Sequence, residues 1–210
     1  MAVAAGIMVP HPPLIVPDVG RGQEILIKDT IKAYQEAAGM AAELKPDTLV
    51  VISPHAVMYA DYFHVSPGKE ARGDFGRFMA PQIGVEAGYD EAFVRELDRL
   101  CGDDDFPMGT EGEREKELDH GTLVPLYFIN QHYRDYKLVR IGGSGLSFAD
   151  HYRAGRYIAR AAENLGRSVF IVASGDLSHK LRGDGPYGYS VQGPEYDERI
   201  MHVMGKAEFG

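Results

Sequence analysis

Four of the eight histidines stand in sequence contexts that could support chemistry. Each lies in a turn flanked by proline or glycine: PHPP around His11, SPHA around His55, DHGT around His120, and DLSH around His179, which follows Gly175. Loops carried by a rigid sheet are where proteins often place catalytic and binding groups. Imidazole binds Fe(II), Mn(II) or Zn(II), and near neutral pH it also takes up or releases a proton. These residues therefore predict a metal site with an acid–base group.

The loop around His11 is stiffened by its neighbours, since Pro10, Pro12 and Pro13 surround the imidazole and Pro17 follows. Proline fixes φ near about −65° and lowers the entropy that a loop loses when it binds a ligand. An imidazole held in such a loop is oriented in advance, as metal coordination requires. The remaining histidines stand in strands or helices among ordinary neighbours, and we expect surface or hydrogen-bonded core positions for them. They are His64, His132, His151 and His202.

A carboxylate would complete a set of two histidines and one acidic ligand with open positions. The candidates near turns are Asp18, Asp119, Asp176, Asp184, Glu195 and Asp197. Asp119 and Asp176 stand close to His120 and His179, which fits metal ligation and hydrogen-bonded orientation of an imidazole equally well. Spacing does not separate these two roles. The sequence also lacks an H-E-x-x-H motif.

Composition excludes several classes of protein. The single cysteine, Cys101, excludes an internal disulfide framework and a cysteine-based zinc cluster. Its acidic neighbours Asp103–Asp105 predict a raised thiol pKa and a poor nucleophile. The net charge of −9 without a long basic run argues against nucleic acid or an anionic membrane as a partner. No apolar stretch approaches the roughly 18 residues of a membrane span, so we expect a cytoplasmic protein with a small-molecule ligand.

Three further motifs carry weaker signals. The glycine-rich IGGSGLS at 141–147 lacks the lysine of a phosphate-binding loop. Ser174 and Ser178 lie near His179, but no G-x-S-x-G motif accompanies them, which disfavours a serine hydrolase. Tyr187 and Tyr189 could line a pocket for a flat ring, although a glycine- and tyrosine-rich turn is more often surface packing.

Continuous apolar, β-branched runs predict strands that are buried on both faces. These strands are residues 2–9, 48–53, 137–143 and 168–174, with shorter ones at 62–66 and 82–86. Three- and four-residue apolar spacing predicts helices at 23–44, 90–100 with Asp90 as its cap, and 148–165 ending at Gly166. Further helices are expected after Asp119-His120-Gly121 and from residue 193, whereas the acidic segment 102–117 is predicted to be a surface excursion.

Alternating buried strands and amphipathic helices predict an α/β protein, a three-layer α/β/α sandwich around a largely parallel or mixed sheet. We expect one domain over residues 1–210. Whether a further C-terminal segment follows it is left undecided by the sequence. In such sheets ligands collect at the carboxyl ends of the strands. His11, His55 and His179 each follow a predicted strand end, so the topology predicts that they converge.

The segments PHPPLIVPDVGRG, KPDTLVVISPH, LDHGTLVPLYF and ASGDLSH resemble the B-type chains of the class III extradiol ring-cleavage dioxygenase superfamily. More narrowly, they resemble the AmmeMemoRadiSam proteins and the related Memo family, over about residues 3–205. The resemblance implies a non-haem Fe(II) enzyme of aromatic compound catabolism that cleaves a catechol or related aromatic diol with O2. Zn(II) or Mn(II) are alternative metals. The alternative function is a Memo-like metal-binding module without ring cleavage, working with a partner or fused domain, and zinc-dependent hydrolysis is a third hypothesis.

The resemblance also implies roles for individual residues. His11 and His55 match the two histidine ligands, and Glu195 matches the carboxylate ligand, with Asp197 as the open alternative. His179 matches the acid–base histidine, and His120 matches a second active-site histidine that contacts the substrate or dioxygen. The resemblance further implies a homodimer.

Overall fold

The computed structural model describes residues 2–208 and is built around parallel strands. The strands are β1 (Val3–Val9), β2 (Thr48–Ser53), β3 (Phe63–His64), β4 (Glu70–Phe75), β5 (Ala80–Gly88), β6 (Met108–Gly109), β7 (Lys137–Gly142) and β8 (Val169–Ser174). The helices are α1 (Pro17–Gly20), α2 (Lys28–Leu44), α3 (Glu91–Asp103), α4 (His120–Ile129), α5 (Phe148–Leu165) and α6 (Gln192–Lys206). Short 3-10 turns cover Pro13–Ile15, Gln23–Ile27 and Gly76–Phe78.

The central sheet has four strands in the order β1-β8-β2-β7, and all neighbouring pairs are parallel. Val9 pairs with Ser174, and Ser53 pairs with Gly142. The carboxyl ends of the four strands therefore lie at one edge. Two small sheets accompany it, with β3 and β6 parallel and β4 and β5 antiparallel.

Hydrophobic packing covers both faces of the central sheet. Leu49 and Val51 of β2 pack in the cluster that includes side chains of α2 and α4, whereas Val50 packs in the cluster of α3 and α5. Successive side chains of a strand point to opposite faces, so these two clusters are the two interfaces of a three-layer arrangement. The predicted α/β/α architecture with a parallel sheet is confirmed.

The chain separates into two compact units, one ending at Gly175 and the other beginning at Asp176. In the second unit, the backbone N–H of Ser178 donates to Asp197 Oδ1 (2.8 Å) of α6, and Ser190 N–H donates to Lys180 O (3.1 Å). The single-domain organisation remains a prediction. None of the helices within residues 2–208 is both long and apolar enough to cross a membrane.

Local patterns located most elements but missed some details. The first turn of the helix predicted from residue 23 is a 3-10 turn, and α2 begins at Lys28. In the sequence EARGDF of β4, charged residues alternate with Ala71, Gly73 and Phe75, but glycine, alanine and charged residues have low strand propensity, and this strand was not predicted. The segment predicted as a surface excursion is partly internal, because Phe106 and Met108 are buried and β6 pairs with β3.

Candidate metal centre

Three of the four singled-out histidines meet at the carboxyl edge of the sheet. His11 stands two residues beyond β1, His55 two residues beyond β2, and His120 is the first residue of α4. Their candidate ligand atoms all lie within 4.8 Å of one another. His11 is buried, His120 is half-buried and His55 is exposed. We call these residues the three-histidine cluster.

The geometry of the three-histidine cluster suits one divalent ion. His11 Nε2 lies 3.1 Å from His55 Nε2. The ring centroids of His55 and His120 are 4.0 Å apart, and those of His11 and His120 are 5.5 Å apart. Metal–imidazole bonds measure about 2.0–2.1 Å, so adjacent nitrogen ligands of one ion lie about 3 Å apart. The His11–His55 separation therefore matches two ligands of one ion, and three imidazoles are donors of the type that transition metals bind.

His11 is oriented by the last residue of β8. Its Nδ1 lies 2.9 Å from Ser174 Oγ, and Ser174 Oγ donates its proton to Gly121 O. A hydroxyl carries only one proton. His11 Nδ1–H must therefore donate to Ser174, which leaves His11 Nε2 without a proton in the neutral ring. Hydrogen bonds of this kind fix the tautomer of metal-binding histidines.

Asp119 supports the backbone that carries the other two histidines. Its carboxylate caps α4 by accepting from Thr122 N–H (3.0 Å) and from Thr122 Oγ1–H (2.8 Å). It also accepts from Ser53 Oγ–H (2.5 Å), and Ser53 Oγ in turn accepts from the backbone N–H of His55 (3.1 Å). The Arg140 guanidinium lies 4.0 Å away. This geometry favours orientation over metal ligation as the role of Asp119.

Gly121 lets α4 begin against the end of β2. A Cβ atom at this position would overlap Ser53 Oγ and would lie 3.0 Å from Asp119 Oδ1 and 3.3 Å from His55 Cδ2. Any larger residue would push apart the groups that hold His55 and His120. The glycine of the DHGT motif is therefore required by close approach.

A cavity of about 480 Å³ adjoins His55 and His120. Its apolar lining residues are Phe78, Leu118 and Leu123, and most of the others are charged. The Phe78 ring centroid lies 5.4 Å from that of His120. Ligand cavities commonly measure about 300–1,000 Å³. The space beside the three-histidine cluster is therefore large enough for a small aromatic molecule.

Arg140 supports the wall of this cavity and was missed by sequence reasoning. The side chain, on β7, is fully buried. Its Nε donates to Ser66 Oγ (2.8 Å), and its terminal nitrogens donate to the carbonyls of Glu117 (2.7 Å) and Glu115 (2.5 Å). Glu113 Oε2 lies 3.6 Å from Nη2. The available signal was the position of Arg140, between the apolar residues Val139 and Ile141 of the strand.

His179 and Glu195 lie in the second compact unit. His179 Nε2 is 3.7 Å from Asp176 Oδ2, and its ring centroid is 5.0 Å from that of Tyr187. Glu195 lies in the first turn of α6. The roles of these residues remain predictions, as does the choice between Glu195 and Asp197.

The other histidines and the cysteine lie outside the three-histidine cluster. His132, His151 and His202 are exposed, as expected. His64 is fully buried, its ring nitrogens have no hydrogen-bond partner, and burial lowers its pKa. Cys101 is buried, and its pKa is raised to about 12 mainly by burial. The predicted rise of the Cys101 pKa is confirmed. Its largest cause is burial, and the carboxylates of Asp98 and Asp104 make smaller contributions.

Two proteins of similar sequence cover most of this chain. Protein CA_C1420 of Clostridium acetobutylicum is 37% identical over 204 residues, which is 94% of this chain and 44% of that protein. The chain therefore spans less than half of that relative. The 3,4-dihydroxyphenylacetate 2,3-dioxygenase of Escherichia coli is 25% identical over 191 residues, which is 85% of this chain and 68% of that protein.

The family described as the catalytic LigB subunit of aromatic ring-opening dioxygenase matches residues 5–210. This match covers the strand ends, the three-histidine cluster and the second compact unit. It confirms the resemblance that the four histidine motifs indicate. The chain belongs to the LigB family of catalytic subunits of aromatic ring-opening dioxygenases.

Proposed function

We propose that this protein is an Fe(II)-dependent dioxygenase of the extradiol type, which opens a catechol or a related aromatic diol with O2. The observation that carries the proposal is the three-histidine cluster at the carboxyl edge of the sheet, in a chain of this family. Phe78, Leu118 and Leu123, which lie among charged residues in the lining of the adjoining cavity, support an aromatic substrate. The similarity to the 3,4-dihydroxyphenylacetate 2,3-dioxygenase of Escherichia coli supports the same substrate class.

The proposed metal ligands are His11, His55 and Glu195, with Asp197 as the alternative carboxylate. His120 joins the candidate ligands because its ligand atom lies in the same cluster; its other proposed role is contact with the substrate or O2. Fe(II) held by these residues would supply Lewis-acid binding of the diol oxygens and of O2, and electron transfer between them. Ser174 orients the His11 imidazole, and Asp119 caps the helix that begins at His120.

The proposed acid–base residue is His179. An imidazole side chain can accept the proton of a diol hydroxyl and return it later in the reaction. Such a group contributes on the order of 10²- to 10⁴-fold to a rate. Phe78 and Leu123 would exclude water from one side of the substrate ring, because they are among the apolar residues that line the cavity.

Reconstitution tests this proposal directly. The protein is purified without air and loaded with Fe(II). It is then given a panel of catechols that includes 3,4-dihydroxyphenylacetate, and oxygen uptake and yellow ring-opened product are followed. We expect His11→Ala to lose both iron and activity. We expect His179→Ala to retain iron and to lose about 10²- to 10⁴-fold in rate. The control His132→Ala removes an exposed histidine whose ring contacts Gln35 (2.6 Å), and it should retain both iron and activity.

Two results would count against the proposal. If protein with one iron per chain takes up no oxygen with any diol in the panel, ring cleavage is contradicted. If His11→Ala and His179→Ala retain equal amounts of iron, the division between ligand and acid–base residue is wrong.

A second candidate function is a metal-binding module without ring cleavage, working with a fused domain or partner. Three imidazoles with an open position form a set that Zn(II) uses in catalytic sites, and the cluster supplies three. The Clostridium acetobutylicum relative extends well beyond the matched segment, which supports work with a fused domain.

The same ligands would serve zinc-dependent hydrolysis, which needs no O2. Metal analysis of protein purified without air separates these cases, because bound iron favours the dioxygenase and bound zinc favours the others.

A homodimer and a cytoplasmic location belong to the same proposal. Sedimentation equilibrium of the metal-loaded protein checks the first, with twice the chain mass of 23.1 kDa expected. Fractionation of cells that produce the protein checks the second.

A further inference from the structure

The helix that carries His120 contains a proline in its interior. Pro125 is the sixth residue of α4 and is buried. In an α-helix the backbone N–H of each residue donates to the carbonyl four residues earlier. Proline has no N–H, so Gly121 O receives no such donor from position 125. A buried carbonyl without a donor destabilises the folded state, and another group must supply the proton.

Ser174 supplies that proton. Its side chain is only 7% exposed, and its Oγ donates to Gly121 O. The same Oγ lies 2.9 Å from His11 Nδ1. With its only proton committed to a carbonyl, the serine can only accept from the imidazole. His11 therefore carries its proton on Nδ1, and Nε2, which faces His55 at 3.1 Å, carries none.

We propose that Pro125 is a positioning residue for the metal centre. Because Pro125 has no backbone N–H, Gly121 O accepts the Ser174 hydroxyl proton instead. Ser174 Oγ then accepts from His11 Nδ1–H, and this tautomer leaves His11 Nε2 free of a proton and able to bind a metal. This inference rests on the proposed function for the use of the site. The tautomer itself is a property of the protein without metal, so it is tested separately.

The variant Pro125→Ala restores an N–H that competes for Gly121 O. The Ser174 hydroxyl can then turn and donate to His11 Nδ1, which moves the imidazole proton to Nε2. We expect the ring ¹⁵N signals of His11 in metal-free protein, assigned by their loss in His11→Ala, to change from a single Nδ1–H form to a mixture of tautomers. We also expect the affinity for Zn(II), used here as the probe, to fall by about 10- to 100-fold.

Val124→Ala is the matched control. Val124 is buried in the same helix, and its replacement removes a similar volume while leaving Pro125 and its carbonyl acceptor unchanged. This variant should keep the Nδ1–H tautomer and the wild-type zinc affinity even if its unfolding midpoint falls. Identical ¹⁵N signals and identical zinc affinity in Pro125→Ala and Val124→Ala would overturn the proposal.

Ser174→Ala tests the same chain of hydrogen bonds without altering the helix. It removes the acceptor of His11 Nδ1–H, so we expect mixed tautomers and a loss of zinc affinity similar to that of Pro125→Ala. The double variant should bind zinc no more weakly than Ser174→Ala alone, because both changes break one chain. An unchanged tautomer in Ser174→Ala refutes the proposal even if Pro125→Ala does not fold. Failure of ring cleavage would leave these readouts unaffected.

Discussion

Arg140 places a full positive charge inside the packing of the sheet. The side chain is 1% exposed, and it is compensated by the Ser66 hydroxyl, by the carbonyls of Glu115 and Glu117, and by the nearby Glu113 carboxylate. Burial of an ion is tolerated when its donors are satisfied and an opposite charge is close. The segment that bears these acceptors also lines the cavity beside His55 and His120. Arg140 of β7 thus holds the segment Glu115–Glu117, which lines the cavity, through hydrogen bonds to its carbonyls.

Removal of this charge should be costly. In Arg140→Met the Glu113 carboxylate and two carbonyls lose their donor, so we expect a loss of about 3–5 kcal/mol in the free energy of unfolding, measured by urea denaturation. The control Arg153→Ala removes a half-exposed arginine paired with Asp150 at 3.2 Å, and its effect should stay below about 1 kcal/mol. Equal stability of the two variants would contradict this account.

The helix α4 is the element on which the site depends most. Asp119 caps it, His120 begins it, and Gly121 allows it to approach β2 closely. Its sequence HGTLVPLYFI is apolar on all sides because the helix is buried. The motif LDHGTLVP was sufficient to predict a helix start near His120. It did not predict that the helix would lie within the core.

A glycine comparison tests this dependence. Gly121→Ala forces a methyl group against Ser53 Oγ, so we expect a loss of about 1–3 kcal/mol in stability together with weaker zinc binding. Gly155→Ala in α5 places its methyl group in open space and should stabilise the protein by about 0.8–1 kcal/mol through helix propensity. Thermal unfolding and zinc titration of both variants make the measurement. A Gly121→Ala protein as stable as wild type would show that the close approach is not needed.

For the molecule as a whole, His64 links stability to pH. Burial is the main cause of its lowered pKa; Glu113 opposes the shift, and Arg140 and Arg114 add to it. Below about pH 6.5 the unfolded chain protonates this residue while the folded chain resists, so the unfolded state binds more protons. The contribution of His64 to the free energy of unfolding is therefore fully present above about pH 6.5, and it is lost as the pH decreases towards and through the folded pKa.

The variant His64→Leu should reduce this dependence. We expect the loss of unfolding free energy between pH 7.5 and pH 5.5 to be smaller in the variant than in the wild type, because the other titrating groups are common to both. Urea denaturation at the two pH values gives the comparison. The exposed His202→Leu serves as the control and should leave the dependence unchanged. A wild-type slope in His64→Leu would show that this residue does not carry the effect.

Features that depend on residues close together in the sequence could be predicted, whereas contacts between distant residues could not. The strands 48–53 and 169–174 and the helix 148–165 follow local apolar patterns, and the structure confirms them. His11, His55 and His120 could be singled out because proline- or glycine-containing turns at strand and helix ends have local signatures. Their meeting follows from parallel topology, which places all strand ends at one edge.

The orienting contacts could not be predicted in the same way. Ser174 and His11 are separated by 163 positions in the chain, and their hydrogen bond depends on which strand lies beside β1. From the sequence alone, Pro125 indicates only an interrupted helix. Its relation to Ser174 becomes visible once Gly121 O is known to accept the Ser174 proton. Arg140 likewise has no local pattern that names its acceptors. Such contacts depend on tertiary register, which a single sequence does not reveal.

Among the described strands, the first pairs only with the last of the central sheet. A ribosome adds about 5–20 residues per second, so on the order of ten seconds pass between synthesis of β1 and of β8. During that interval the amino-terminal segment has no neighbour to complete its ladder of hydrogen bonds. A metal ion that arrives before residue 174 is synthesised would meet the His11 imidazole without the serine that accepts its proton.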